Sequence, residues 1–312
     1  MKCMIHIKKT VLFFILTALL TGCATVSKHT SKPVLIGHPE RFFWEIRGET
    51  GSVYVLGTVH VADKTFFPLE PAVLQAFDRA DRLVSEIGGT EDLQAFTAVL
   101  QDAIMKNLNT DPKKNLLEVL SEEELIFLYG KIGEDTVHQL ALFNPWILNL
   151  TLTQLLLYEA GLNAADGIDM HLIGRAGGKK IEALDTPEQQ LAVVSYGSFD
   201  EQLLMLKDSI QALQNPAESI QEIQKLKQLY LQNDRKGLTA LLFELLKLPD
   251  SFSAAQKQAF VDVLLTDRNR IWARKFDSYL KAGGTTFVFA GAAHFAGESN
   301  VFELMRREHL LQ

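Results

Sequence analysis

The sequence has only two cysteines, Cys3 and Cys23, among its 312 residues. Two cysteines cannot build a disulfide-rich scaffold or a zinc site with four cysteine ligands, so both classes are excluded. Basic residues are also outnumbered by acidic ones, 31 against 38, which gives a formal net charge of −7. A nucleic-acid-binding protein normally carries a basic face, and we therefore expect no nucleic-acid partner.

The short motifs of several large enzyme classes are also absent. The sequence contains no Gly-x-Ser-x-Gly, His-Glu-x-x-His, Gly-x-x-x-x-Gly-Lys or Cys-x-x-Cys segment. These patterns are typical of serine hydrolases, thermolysin-like zinc proteases, P-loop nucleotide-binding proteins and thiol redox proteins, respectively. Their absence disfavours all four classes.

The apolar run at the N-terminus, residues 11–20, is shorter than the roughly 20 residues that span a bilayer. It follows three lysines and precedes Gly22 and Cys23, which is the order of a secretory signal. We predict a signal peptide over residues 1–22. An uncleaved N-terminal membrane anchor is the alternative.

The segment Leu20-Thr21-Gly22-Cys23 resembles the lipobox of bacterial lipoproteins. The resemblance implies cleavage before Cys23, a diacylglycerol on its sulfur and an acylated amino group, and several acyl chains together anchor a protein durably. The residue after this cysteine is Ala24. The absence of an aspartate at that position resembles lipoproteins that are sorted to an outer membrane. We expect a protein of the cell envelope, held on the outer membrane by this lipid and facing the periplasm.

Three regions follow from this division of the chain. Residues 1–22 are the predicted leader, residues 23–38 the lipidated cysteine with a Ser/Thr-rich flexible tether, and residues 39–312 a single domain. Short apolar strands alternate with helical patterns in that domain, which predicts an α/β fold with a mixed, largely parallel central sheet flanked by helices. A long helical insertion separates its first strands from its last.

One pattern occurs near both ends of the predicted domain: an apolar strand, a glycine, two residues and a histidine. The first copy ends in Gly57-Thr58-Val59-His60 and the second in Gly291-Ala292-Ala293-His294. Glycine allows a close approach of the backbone, so Gly57 and Gly291 are candidates for contact with a cofactor. A single Gly-x-x-His segment is a weak signal, and its histidine is more often a packed residue.

Two further predicted strands end on carboxylates, Glu86 and Asp185. Ligands of α/β sheets bind outside the carboxyl ends of the strands, where these residues and the two histidines meet. Two imidazoles and a carboxylate suit a catalytic divalent metal, which predicts His60, Glu86 and His294 as ligands. Asp185 is then a candidate general base or orienting group, and Glu86 is the alternative candidate for the catalytic base. The alternative is that each carboxylate caps the helix that follows it.

Polar residues interrupt a helix predicted over residues 254–281. Arg268 and Asn269 follow an apolar stretch, and an arginine there can clamp a carboxylate or stabilise an oxyanion. We take both as candidate catalytic residues. A surface ion pair is the alternative for Arg268.

Taken together, these motifs resemble those of the TraB/PrgY/GumN family, with coverage from about residue 41 to residue 307. The supporting segments, beyond the two Gly-x-x-His copies, are Phe43-Trp44-Glu45-Ile46, Pro68-Leu69, Val84-Ser85-Glu86, Gly167-Ile168-Asp169, Leu184-Asp185-Thr186-Pro187-Glu188-Gln189 and Asp267-Arg268-Asn269-Arg270. More distantly, the family resembles the Tiki metalloproteases and the erythromycin-esterase and ChaN-like proteins.

The resemblance implies an α/β fold with His60, Glu86 and His294 at one site, Arg268 and Asn269 nearby, and metal-dependent hydrolysis. We therefore expect an envelope hydrolase of the peptidase or amidase type that uses Mn²⁺, Co²⁺ or Zn²⁺ and acts on a peptide or a small molecule. Two alternatives are a non-catalytic protein that sequesters a peptide signal or haem, and an accessory factor for exopolysaccharide export.

Overall fold

The structure is a computed structural model that describes residues 32–109, 111–246, 248–249 and 251–312. The predicted leader, Cys23 and most of the predicted tether lie outside these residues. Residues Lys32–Gln312 form one compact unit. Within the described part of the chain, each helix is too short or too polar to span a bilayer.

Six strands of the described residues form one mixed sheet, in the order β1-β2-β3-β6-β4-β5. Their bounds are β1 Val34–Gly37, β2 Phe43–Arg47, β3 Gly51–Thr58, β4 Arg82–Ser85, β5 Ile181–Ala183 and β6 Gly284–Gly291. The first three strands pair antiparallel, and β3, β6, β4 and β5 pair parallel. The predicted α/β fold with a largely parallel sheet is confirmed.

Strand β6 lies at the centre of this sheet, between β3 and β4. Its Phe287, Val288 and Phe289 are completely buried. A parallel strand covered by helices on both faces needs such a continuous apolar run, instead of the alternation of a half-exposed strand. The composition of β6 therefore matches its central position.

Helices cover the sheet and fill the long connections. Their bounds are α1 Pro71–Arg79, α2 Thr90–Lys106, α3 Leu116–Val119, α4 Glu122–Ile132, α5 Glu134–Leu140, α6 Pro145–Glu159, α7 Ile168–Arg175, α8 Pro187–Val194, α9 Phe199–Gln214, α10 Pro216–Leu231, α11 Arg235–Leu245, α12 Ala254–Val261, α13 Asp267–Ala282 and α14 Val301–Arg307. The helices between β4 and β6, interrupted by the short β5, form the predicted insertion between the two Gly-x-x-His segments.

Part of this insertion has its own apolar core. Buried side chains of helices α3–α6 and α9 pack together there, among them Leu116, Leu128, Leu152 and Leu206. The larger core lies on the sheet and includes the central strands, Phe276 of α13 and Trp272. The insertion is thus a packed layer of helices attached to the α/β core.

The helix predicted over residues 254–281 is continuous in direction but not regular. A π-helical segment, Asp262–Thr266, separates α12 from α13. A π turn contains one extra residue, so it changes which side chains of the following helix face the sheet. Arg268 and Asn269 come directly after it, and both are buried.

The predicted tether is too long at its C-terminal end. Residues Val34–Gly37 form edge strand β1, which pairs with β2 through partners such as Leu35 and Ile46. The apolar residues Val34, Leu35 and Ile36 supply a short β-forming run that the neighbouring Ser/Thr-rich composition conceals. The structured unit therefore starts before residue 39.

Candidate functional site

The two Gly-x-x-His segments lie side by side at one edge of the sheet. Parallel pairing of β3 and β6 places Gly57 opposite Ala290 and Thr58 opposite Gly291. His60 follows the end of β3, and His294 lies in the short 3-10 turn Ala292–Phe295 after β6. Residues far apart in the sequence thus reach one place because their strands are neighbours in the sheet.

Glu86 lies between the two histidines, directly after β4, and is 5% exposed. Its Oε2 accepts a hydrogen bond from the backbone N–H of Gly291 at 3.0 Å. Nε2 of His60 is 3.4 Å from the same oxygen, and Nε2 of His294 is 3.7 Å from Oε1. Both imidazoles therefore present Nε2 to one carboxylate.

A buried ion-pair network supports Glu86 from behind. The guanidinium of Arg268 donates to Oε1 of Glu86 through Nη2 and to Oδ2 of Asp185 through Nε at 2.7 Å. Gln190 joins the same two carboxylates, with Nε2 at 3.1 Å from Glu86 and 2.8 Å from Asp185. Arg268 is 5% exposed, so the alternative of a surface ion pair is wrong.

Asp185 holds this network together and caps no helix. Its Oδ1 accepts from Nε1 of Trp272 at 2.7 Å, while the side chain of Thr186 caps α8. Likewise, Gly89 is the residue at the N-cap of α2, so Glu86 is free of a capping role. The capping alternative is wrong for both carboxylates.

His60 has a carboxylate partner on its other nitrogen. Nδ1 of His60 is 3.0 Å from Oδ2 of Asp169, whose Oδ1 accepts from the hydroxyl of Thr58 at 2.7 Å. An ionised carboxylate only accepts hydrogen bonds, so Nδ1 of His60 carries a proton and donates it. This bond fixes the ring with Nε2 facing Glu86.

His294 is fixed in the same manner by an amide. Nδ2 of Asn269 donates to the carbonyl oxygen of Ser299 at 2.9 Å, which leaves Oδ1 to face Nδ1 of His294 at 2.5 Å. Nδ1 of His294 is therefore the donor, and Nε2 is the free nitrogen of the neutral ring. The ring also packs against Trp272, with 4.0 Å between centroids and an angle of 32° between the ring planes.

The pKa values of the ionisable groups in the site are shifted in different directions. Burial opposes ionisation of Glu86, but the imidazoles of His60 and His294 outweigh it and hold its pKa well below the usual value. Desolvation also opposes protonation of His60, although about half of its side chain is exposed, yet the carboxylates of Asp169 and Glu86 raise its pKa well above 6.5. For His294 burial prevails and lowers the pKa, despite the nearby Glu86. The two histidines thus differ in proton affinity across one carboxylate.

The two glycines of the repeated pattern have different surroundings. A Cβ on Gly291 would lie 2.9 Å from Nε2 of His60 and 3.4 Å from Oε2 of Glu86, so glycine is needed there to leave room for the site. A Cβ on Gly57 would lie 3.2 Å from Cα of Ala292 and 3.3 Å from Cβ of Phe42. Gly57 therefore allows close packing of β3 on Ala292 and Phe42, and its predicted contact with a cofactor stays a prediction.

A cavity of about 470 Å³ opens directly from the site. We call it the aliphatic chamber, and its wall is formed chiefly by Leu157, Val193, Ile223, Leu226, Leu242 and Leu264. His60, Glu86, Arg268 and His294 line one end of it. A second cavity of about 380 Å³ shares His60, Glu86 and Gln190 with the chamber. The site therefore lies where two cavities meet.

The structure brings all of the predicted polar residues into one cluster, but only some of them line the two cavities. Among the described residues, those that line either cavity include neither Asp185 nor Asn269. Asp185 holds Arg268, and Asn269 holds His294. Both are therefore positioning residues, and their predicted role as catalytic residues is not supported by this placement.

Sequence reasoning missed three side chains of the network: Asp169, Gln190 and Trp272. For Asp169 the sequence did offer a signal, the glycine of the segment Gly167-Ile168-Asp169. The fold requires a glycine there, because Gly167 packs directly on the carbonyl oxygen of His60 and a Cβ would overlap it. The backbone N–H of Ile168 also donates to the carbonyl oxygen of Val59 at 3.1 Å. The remaining two lie within helices, and nothing in their local sequence distinguishes them.

Comparison with known proteins gives relatives along most of the chain. An uncharacterized protein of Treponema pallidum (strain Nichols) is 36% identical over 293 residues, which cover 93% of this chain and 88% of the relative. The uncharacterized protein YbaP of Escherichia coli (strain K12) is 25% identical over 258 residues, 81% of this chain and 87% of YbaP. YbaP of Shigella flexneri gives the same values. No solved structure matches the chain significantly.

The sequence profile of the TraB/PrgY/gumN family matches residues 42–310, a span that contains both Gly-x-x-His segments, Glu86 and Arg268. This span extends from just before β2 to beyond α14 and leaves out only β1 among the strands of the sheet. The chain therefore belongs to the TraB/PrgY/gumN family.

Proposed function

We propose that this protein is a metal-dependent hydrolase of the cell envelope that cleaves an amide or peptide bond. The observation that carries the proposal is the convergence of Nε2 of His60 and Nε2 of His294 on the carboxylate of Glu86, at 3.4 and 3.7 Å. The cluster lies at the junction of two cavities, so a substrate can reach it from either side.

The donor types fit a divalent ion such as Zn²⁺, Mn²⁺ or Co²⁺, since two imidazoles and a carboxylate are common ligands of all three. Nδ1 of each histidine is already held, by Asp169 or Asn269, as the second ring nitrogen of a metal-binding histidine usually is. In the part of the chain that the structure describes, no group of three or more His, Cys, Asp or Glu side chains stands at ligand spacing. Ion binding therefore requires that Glu86 give up some of its present hydrogen bonds.

When bound, such an ion supplies a water of lowered pKa and polarises the carbonyl of the substrate. In the overall reaction the water oxygen bonds to the carbonyl carbon, the carbon–nitrogen bond breaks, and a water proton passes to the leaving nitrogen. Glu86 and His60 are the groups that lie in position to carry that proton. Arg268 lies at this end of the chamber, where Asp185 and Glu86 fix its orientation, and its guanidinium N–H groups are candidate donors to the developing oxyanion.

The location in the envelope is part of the same proposal and depends on the sequence of residues 1–23. A leader followed by lipidation of Cys23 would place the enzyme on the periplasmic side of the outer membrane. Labelling of growing cells with a clickable palmitate analogue tests this assignment. Label on the wild type and its loss in Cys23→Ser is the expected result, whereas equal label in both contradicts it.

The catalytic proposal is tested by the double variant His60→Ala, His294→Ala. Metal content is measured by inductively coupled plasma mass spectrometry after incubation with each ion, and cleavage is followed on a peptide and amide library. We expect the double variant to lose both. The matched control is His138→Ala, because His138 is exposed on α5 and contacts only Tyr129, through its ring and its hydroxyl, among the described interactions. Unchanged metal content in the double variant would overturn the metal site.

A second candidate function is binding without turnover, and the aliphatic chamber is the observation that favours it. Its size lies in the range of about 300–1,000 Å³ that is usual for small-molecule sites, and most of its wall is apolar. Such a protein would sequester an apolar ligand beside the histidines. Stoichiometric binding that is insensitive to chelators, with no product formed over many hours, distinguishes this function from hydrolysis.

A further inference from the structure

The wall of the aliphatic chamber consists mainly of hydrocarbon and offers few hydrogen bonds to a ligand. Four helices and the π-helical segment contribute Leu157, Val193, Ile223, Leu242 and Leu264 to it, and these side chains are half-buried. Backbone groups inside a helix are already paired within that helix, so they offer no hydrogen bonds to a ligand. Away from the histidine end, the wall therefore presents mostly hydrocarbon.

Away from the two histidines, the polar side chains of the chamber wall are already paired. Lys227 forms an ion pair with Asp63, and the hydroxyl of Thr58 donates to Asp169. Arg268 is held by Glu86 and Asp185. A ligand in the chamber thus finds no unpaired cation in the described wall for a carboxylate, and no ready partner for a chain of backbone amides.

These features discriminate between classes of apolar ligand. A peptide segment would bring N–H and C=O groups that lose water and gain nothing in return. Haem would bring propionates, which need cations, and the two cations of the wall are taken. A polymethylene chain has no polar groups to satisfy and gains affinity with each methylene that it buries. The chamber volume of about 470 Å³ holds about fifteen groups of the size of a water molecule, which is room for one such chain.

We infer that the aliphatic chamber binds the acyl chain of an N-acylated amine, whose amide carbonyl then lies beside His60 and Glu86. This inference deepens the proposed hydrolase function and rests on it for the position of the cleaved bond. The amine part would enter the second cavity, which shares His60, Glu86 and Gln190 with the chamber. The substrate class is therefore an acyl amide. The helices of the insertion form the chamber wall and thus limit the length of the acyl chain that fits.

Binding of N-acylglycines with 4 to 14 acyl carbons tests the inference. Titration calorimetry uses the full chain in phosphatidylcholine nanodiscs, with empty nanodiscs as the blank, and the cleavage-impaired His60→Ala, His294→Ala form prevents turnover. We expect affinity to rise about fourfold per methylene until the chamber is full, and then to level off. An affinity that is independent of chain length, or stronger binding of trileucine or haem than of the long acylglycines, would overturn the inference.

A pair of tryptophan substitutions locates the binding. Leu226→Trp adds bulk at the chamber wall, so the rise in affinity should stop at a shorter chain. Leu204→Trp adds the same side chain at an exposed position of α9 and should leave the length profile unchanged. If affinity depends on chain length in the same way in both variants, the acyl chain does not bind in the chamber. Length-dependent binding without release of glycine by the wild type would reject the hydrolase and leave the acyl-chain site in the chamber intact.

Discussion

Nη2 of Arg268 lies 2.5 Å from Oδ2 of Asp185, and both side chains are almost completely removed from solvent. The same guanidinium also holds Glu86, so one cation is shared by two buried carboxylates. Buried charges are tolerated only when they are paired and hydrogen-bonded. The interior of the site is therefore stable as a unit, and the loss of one member affects the others.

We expect Arg268→Met to lower the free energy of unfolding by about 3–5 kcal/mol, because Glu86 and Asp185 lose their shared cation in a buried place. The matched control is Arg270→Met, which removes an exposed ion pair with Asp267 and should change stability by about 0–1 kcal/mol. Urea denaturation measures both. Equal losses in the two variants would show that the buried ion pairs contribute no more to stability than the exposed one.

Gly291→Ala should damage the site without unfolding the protein. The new Cβ would lie 2.9 Å from Nε2 of His60, so the ring must move away from Glu86. A shift of this kind can reduce the rate of cleavage about 100-fold. Gly174→Ala is the control, because a Cβ on Gly174 of α7 meets nothing within 4 Å. Ring-proton NMR signals of His60 report the displacement, and unaltered signals in Gly291→Ala would contradict the prediction.

Asp169→Asn should destabilise the protein in a pH-dependent manner. Asp169 raises the pKa of His60 in the folded state, so the ring binds its proton more tightly there than in the unfolded chain. That stabilisation is fully present below about pH 6.5 and is lost as the pH rises through the folded pKa. The difference in unfolding free energy between wild type and variant should thus be largest near pH 6 and shrink at alkaline pH.

Denaturant titrations at several pH values measure this difference. Asp78→Asn is the control, since Asp78 pairs with Arg175 at the surface and Arg175 does not titrate in this range. A difference for Asp169→Asn that grows with pH would reverse the predicted sign.

Trp272→Phe should lower stability by more than Trp146→Phe does, by about 1–3 kcal/mol. Nε1 of Trp272 donates to Asp185, whereas Nε1 of Trp146 is buried and has no partner among the described residues. Both indoles are buried, so the loss of ring volume is similar in the two variants. Thermal or urea unfolding of the pair isolates the hydrogen bond, and equal losses would argue against its contribution.

The polar residues at the strand ends were predictable because parallel strands present their carboxyl ends at one edge. Knowledge of which residues end β3, β4, β5 and β6 was enough to place His60, Glu86, Asp185 and His294 together. The partners that orient them were harder to predict. Asp169, Gln190 and Trp272 lie in helices, and the packing of each helix on the sheet decides which of its side chains face the site.

Two features of the backbone were also outside the reach of pattern reasoning. The extra residue of the π-helical segment Asp262–Thr266 leaves no mark in the spacing of apolar residues, yet it directly precedes Arg268 and Asn269. Strand β1 has four residues and follows a Ser/Thr-rich stretch, so its pairing with β2 depends on contacts that its own sequence does not specify.

The central position of β6 has a consequence for the order in which the molecule forms during synthesis. Strands β1 to β5 leave the ribosome first, but β3 and β4 are not neighbours, and residues 284–291 must arrive before they can be joined. Contacts between such distant parts of a chain form slowly. Until β6 has been made, the sheet can exist only as two separate pieces, and the pairing of β6 with β3 and β4 completes the sheet and brings the two histidines together.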